Sequence, residues 1–177
     1  MRSTVLLCAL AATLGSAHAQ HQPYAGHQLR DLKALSSEEI GQYLAGAGMG
    51  YAKAAELNHF PGPMHVLELA DQLELTAQQR EATEKLMKTH KAEARSIGAK
   101  LVEAERTLDA LFRAGKVAPE ALSLAVSRAA ALQGEYRLSH LETHRRMREV
   151  LSEEQVRRYD ALRGYAGAPS RRPAHKH

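Results

Sequence analysis

The chain is 177 residues long, carries a net charge of +4 with histidine neutral, and contains one cysteine, no tryptophan and two phenylalanines. That length holds one domain with a modest core. A lone cysteine excludes a disulfide scaffold, and the core has to come from Leu, Ala, Val and Met, which favour helices over β-sandwiches.

The first nineteen positions read as a secretory signal: Arg2 gives a positive start, Val5 to Gly15 a short apolar run, and Ala17-His18-Ala19 a small-x-small cleavage site. The run is too short to span a bilayer, which needs about 20 residues. Cleavage after Ala19 is expected, which removes Cys8 and leaves an exported chain without a thiol. Removing Arg2 with it leaves 23 basic residues against 20 acidic ones. Export argues against a nucleic-acid partner more strongly than this mild excess argues for one.

Residues 20–35 are polar, with Pro23 and Gly26, and are expected to form a disordered arm. A first helix is predicted from Ser36 or Ser37, with Glu38 and Glu39 in its first turn, running toward Leu57 through Gly41, Gly46, Gly48 and Gly50. Each glycine weakens it by about 1 kcal/mol relative to Ala, unless the small residues serve a close helix approach. Pro61-Gly62-Pro63 is a break, and a short helix is predicted over 64–73.

Thr76 and Gln79 then form a capping box, in which the hydroxyl and the amide each satisfy the other residue's backbone N–H. A long helix is predicted from Ala77 to Ala114, about 55 Å at 1.5 Å per residue. Its apolar stripe is Leu86, His90, Ala94, Ile97, Leu101, Ala104, Leu108 and Leu111, a near-heptad seam. Gly115 stops it and Pro119 opens the next helix, which runs to Val150. The second stripe is Leu122, Val126, Ala129, Gln133, Tyr136, His140, His144, Met147 and Leu151. So short a connection makes the two long helices antiparallel neighbours. A second capping box, Ser152 with Gln155, opens a short helix ending at Gly164. The expected organisation is a signal peptide over 1–19, an arm over 20–35, one all-α domain over 36–164 and a disordered basic tail over 165–177.

The paired segments Leu75-Thr76-Ala77-Gln78-Gln79 and Leu151-Ser152-Glu153-Glu154-Gln155 carry a resemblance. The chain resembles the Spy/CpxP superfamily of periplasmic LTxxQ proteins and its heavy-metal-resistance branch, over roughly residues 60–164, with Ser replacing Thr in the second box. The resemblance implies a periplasmic location and a bent helical hairpin dimerised into a cradle. Members act as ATP-independent chaperones, as inhibitors of envelope-stress sensor kinases, or as metal sensors and buffers, so the fold alone does not choose among these roles.

The hairpin also sets a register. A turn centred near residues 116 and 117 places His90 opposite about residue 143, between His140 and His144, and Met87 opposite about residue 146, beside Met147. His140 and His144, four residues apart, share a helix face and can ligate one ion, with His90 a third imidazole across the seam. Imidazole with thioether suits Zn, Cu or Ni rather than Mg or Ca. A plainer reading of the same residues is a half-exposed seam pairing with Glu93, Glu142 or water, and Met87 and Met147 serve equally as core filler. His59 and His65 are weaker candidates, and His21, His27, His175 and His177 lie in the predicted arm and tail.

No nucleophile elbow, phosphate loop or HExxH motif is present, and a hairpin seam is expected to be narrow, so a non-enzymatic protein without an organic cofactor is expected. The basic residues of both long helices, Lys85, Arg95, Arg128 and Arg137 among them, are interspersed with Leu and Ala, a surface suited to holding unfolded acidic clients weakly, or equally an ordinary solvated face that Glu81, Glu84, Glu93, Glu103 and Glu105 balance locally. Leu124, Leu132, Leu138 and Leu141 fall outside the seam and call for cover from the N-terminal helix or a second copy, which makes a homodimer the expected assembly. A membrane-bound sensor is a further expected partner.

Overall fold

A computed structural model describes residues 23–165. The expected signal peptide and all of the expected tail beyond residue 165 lie outside the described residues. Within them the regular structure is all helical, a 3-10 turn at His27–Leu29 followed by α1 Ser37–Ala45, α2 Lys53–Glu56, α3 Pro63–Glu68, α4 Ala77–Arg113, α5 Pro119–Val150 and α6 Glu153–Leu162. None of these helices is long and apolar enough to cross a membrane.

The α4–α5 hairpin forms with the predicted boundaries. Thr76 caps α4 and Ser152 caps α6, each in a complete capping box. Gly115 takes the left-handed conformation (φ 73°) just past α4, and Pro119 is the first residue of α5.

The helix expected over 37–57 is broken. A capping box of Ser36 and Glu39 starts α1, and Gly46 ends it at φ 66°, where the amides of Gly46 and Ala47 close on the carbonyls of Tyr43 and Gln42. That paired closure satisfies the last carbonyls and turns the chain away. The backbone stays irregular through Met49 (φ 45°) and Gly50 (φ 77°) before the single turn of α2. The short helix expected over 64–73 is regular only to Glu68, and turns follow to Leu73.

Two buried clusters hold these pieces on the hairpin. Tyr43 of α1 packs with Ala94, Ile97, Leu101, Leu132 and Tyr136. Toward the open end, Val66 and Leu73 pack with Met147, Leu151, Val156 and Tyr159. The first contact depends on Gly98, where a Cβ would run into the carbonyl oxygen of Tyr43. A glycine of the seam therefore admits the end of α1 against α4.

Two expectations about faces change. The inward face of α5 is Ala125, Ala129, Leu132, Tyr136, Ser139, His140, Thr143 and Met147, while Val126 and Gln133 of the predicted stripe are exposed. Leu132, placed outside the seam by sequence, is buried under the α1 region, whereas Leu124 and Leu138 remain 72% and 64% exposed. The arm expected to be disordered over 20–35 is held on the hairpin at Asp31, Leu32 and Lys33. Leu32 is buried, and Asp31 pairs with Arg106 of α4 at 2.7 Å.

Candidate metal centre

Because α1, α2 and α3 are separate pieces laid across the hairpin, the seam is not narrow at their level. A cavity of about 640 Å³ lies between the hairpin and the segment from Ala45 to His65. His90, His140, His144 and Met87 all line it. Met147 does not, being fully buried in the second cluster.

The pairing differs from the sequence register by about one helical turn, since His90 Nδ1 lies 3.3 Å from the Ser139 hydroxyl rather than opposite residue 143. The His90 and His140 rings meet edge-to-face with centroids 4.5 Å apart. His140 also stacks obliquely on Tyr136 at 4.6 Å, and the Tyr136 hydroxyl donates to the Ala47 carbonyl at 2.6 Å, tying the glycine-rich turn to the site.

Both α5 histidines are held by backbone. His140 Nδ1–H donates to the Tyr136 carbonyl one turn back at 2.8 Å. His144 Nδ1–H donates at 2.8 Å to the Phe60 carbonyl, in the connection between α2 and α3. A neutral imidazole that spends its one proton at Nδ1 presents a lone pair at Nε2. His140 Nε2 is buried without a hydrogen-bond partner. His144 Nε2 points toward Gly62, where an added Cβ would stand 2.9 Å from it. Glu142, offered by sequence as an alternative partner, instead binds Arg145 at 2.7 Å.

Burial keeps two of the imidazoles, His90 and His140, uncharged. Desolvation first, and then the neighbouring His140 and His144 rings, push the His90 pKa down to about 4. Burial also lowers that of His140, opposed by the hydrogen bond to the Tyr136 carbonyl. At neutral pH both rings are therefore free bases, the form that binds metal.

Sequence reasoning missed the wall opposite the hairpin. Glu56 Oε1 accepts from the hydroxyls of Tyr159 (2.5 Å) and Tyr165 (3.1 Å), with Arg163 at 3.7 Å, and its Oε2 lies 3.5 Å from His144 Nδ1. Met49 and Met64 line the cavity as well. Only the Pro-Gly-Pro break hinted that this segment folds back. Of the weaker candidates, His59 pairs with Asp160 and His65 with Glu68, both at 2.7 Å.

The donor chemistry fits an ion, in that a buried imidazole nitrogen without a hydrogen-bond partner belongs to a cavity lined by further imidazoles and thioethers. Among the described residues, no three His, Cys, Asp or Glu side chains stand ready-made around one point.

Fold and site thus define an all-α hairpin protein with a histidine- and methionine-lined cavity toward its open end. The profile of the heavy-metal resistance family matches residues 40–158, and the chain belongs to that family. No curated protein and no solved structure matches it.

Proposed function

We propose that the protein is a periplasmic metal-binding sensor or buffer of the heavy-metal-resistance type. It takes a Zn, Cu or Ni ion through His90, His140 and His144, with Met87 as a further donor. The observation that carries this reading is the shared tether of His140 and His144. Each spends its Nδ1 proton on a backbone carbonyl, so that the Nε2 lone pairs are left to the cavity. An imidazole oriented by such a bond is the usual state of a metal-ligating histidine. Since the donors do not stand ready-made, an ion has to draw them together, and binding then changes the conformation that a sensor reports.

Calorimetric titration of the full chain with Zn²⁺ and Cu²⁺ tests this. Substituting His140→Ala together with His144→Ala should weaken binding at least 100-fold, and unchanged affinity would remove the site.

A second reading, an ATP-independent chaperone or modulator of a membrane-bound stress sensor, is favoured by Leu124 and Leu138. Both are largely exposed on α5 among the exposed Arg128 and Arg137. It predicts suppression of aggregation of a denatured client near stoichiometric ratio, with or without metal. The same two leucines, two heptads apart with exposed Ala131 midway, support a homodimer through α5, which sedimentation of the wild type and of Leu138→Glu would reveal. In each reading the protein binds, without catalysis or an organic cofactor.

A further inference from the structure

Five methionines occur in the chain, and three of the four that follow the expected signal peptide, Met49, Met64 and Met87, line the one cavity that holds the histidines. They arrive from three separate places: the glycine-rich turn, α3 and α4. Met49 sits at φ 45°, a left-handed conformation that a side-chain-bearing residue rarely adopts, and also packs against the first buried cluster. Met64 remains 48% exposed and so adds little to the core.

Building on the proposed metal site, we infer that the cavity selects a soft monovalent ion, Cu(I), over the divalent Zn and Ni, with the Met49, Met64 and Met87 thioethers among its ligands. Two physical reasons favour this choice. Thioether sulfur is a soft donor that matches Cu(I) and binds the borderline divalent ions weakly. The imidazole and thioether donors are also neutral. The carboxylate on the wall, Glu56, has its Oε1 engaged by two phenol hydroxyls near Arg163 and its Oε2 buried without a hydrogen-bond partner beside His144, while Lys53 and Lys91 add positive charge to the rim. The desolvation penalty of an ion rises with the square of its charge, so a monovalent ion pays about a quarter of what a divalent one does in such a place. His140 Nε2, buried and unpartnered on a residue only 3% exposed, supplies the nitrogen that the thioethers join.

The test uses the full chain carrying Cys8→Ser, so that no thiol competes, titrated anaerobically with Cu(I) against a chromogenic chelator and separately with Zn²⁺. Met49→Leu, Met64→Leu and Met87→Leu together should weaken Cu(I) at least 100-fold and change Zn²⁺ affinity less than threefold. X-ray absorption should show sulfur around copper in the parent and not in the variant. Leu is near-isosteric with Met, and circular dichroism melting checks that the variant folds; Met64→Leu alone, at a half-exposed position, gives the same comparison if the triple variant does not. Cu(I) affinity unchanged by the Met substitutions but abolished by His140→Ala with His144→Ala would overturn the soft-ion assignment and leave the metal site standing. Cu(I) and Zn²⁺ affinities that neither set of substitutions alters would overturn both.

Discussion

The side-chain amides of Gln79 and Gln155 clasp one another: Gln79 Nε2 donates to Gln155 Oε1 at 2.8 Å, and Gln155 Nε2 donates to Gln79 Oε1 at 3.0 Å. Each glutamine at the same time accepts the backbone N–H of its own capping residue, Thr76 at 3.1 Å and Ser152 at 2.9 Å. Gln79 donates further to the Val150 carbonyl and Gln155 to that of Leu73. The two boxes therefore cap α4 and α6 and also close the open end of the hairpin. A capping box works equally well with Glu, but only an amide can donate across the clasp.

Gln79→Glu should accordingly preserve the cap and lose the clasp, with a carboxylate set against two carbonyl-type oxygens. The expected destabilisation is about 2 kcal/mol, read from urea denaturation. Gln155→Glu should behave alike, and the double variant should fall short of additivity because both changes break one network.

Gly98 and Gly134 separate close packing from helix propensity. A Cβ at Gly98 strikes the Tyr43 backbone, whereas one at Gly134, in the exposed middle of α5, meets nothing within 4 Å. Gly98→Ala should displace α1 and lower stability by about 2 kcal/mol or more. Gly134→Ala should raise it by about 0.5–1 kcal/mol. Thermal melts of the two variants check the contrast.

Gly62 makes room for the His144 ring rather than for backbone. An added Cβ would stand 2.8 Å from His144 Cε1. Its φ of −87° and ψ of 143° suit any residue, so Gly62→Ala should leave the melting temperature within a few degrees while turning the His144 ring. Metal affinity should fall about tenfold, and a variant that binds as tightly as the parent would detach His144 from the site.

The metal-free protein should lose stability in mild acid. The His90 pKa lies below its unfolded value near 6.5, so the unfolded chain binds the proton more tightly. The stabilisation is complete above about pH 6.5 and is lost as pH falls toward about 4. Denaturation with chelator present should show a loss of about 2 kcal/mol between pH 7.5 and pH 5 from His90. His140 changes it in the same direction, since its pKa is also lowered. In His90→Asn that fall should be visibly shallower.

What the sequence by itself determined is local. The capping boxes at Thr76 and Ser152, the stop at Gly115, the start at Pro119 and hence the antiparallel hairpin were all legible, because each signal acts within about one turn of helix. His140 and His144 were legible as a pair for the same reason, being one turn apart on one face. Tertiary packing decided the rest. Gly98 admits the end of α1, and Ala125 and Leu132 rather than Val126 and Gln133 turn inward. His90 is thereby set against Ser139 and His140, about one turn from the position a symmetric turn implies. His144 is left to the Phe60 carbonyl and the Glu56 wall. Register and helix rotation depend on the summed packing of residues far apart in the chain, to which no local signal corresponds. The cavity, with Met49 and Met64 in it, exists only because the glycine-rich segment breaks and folds back across the hairpin.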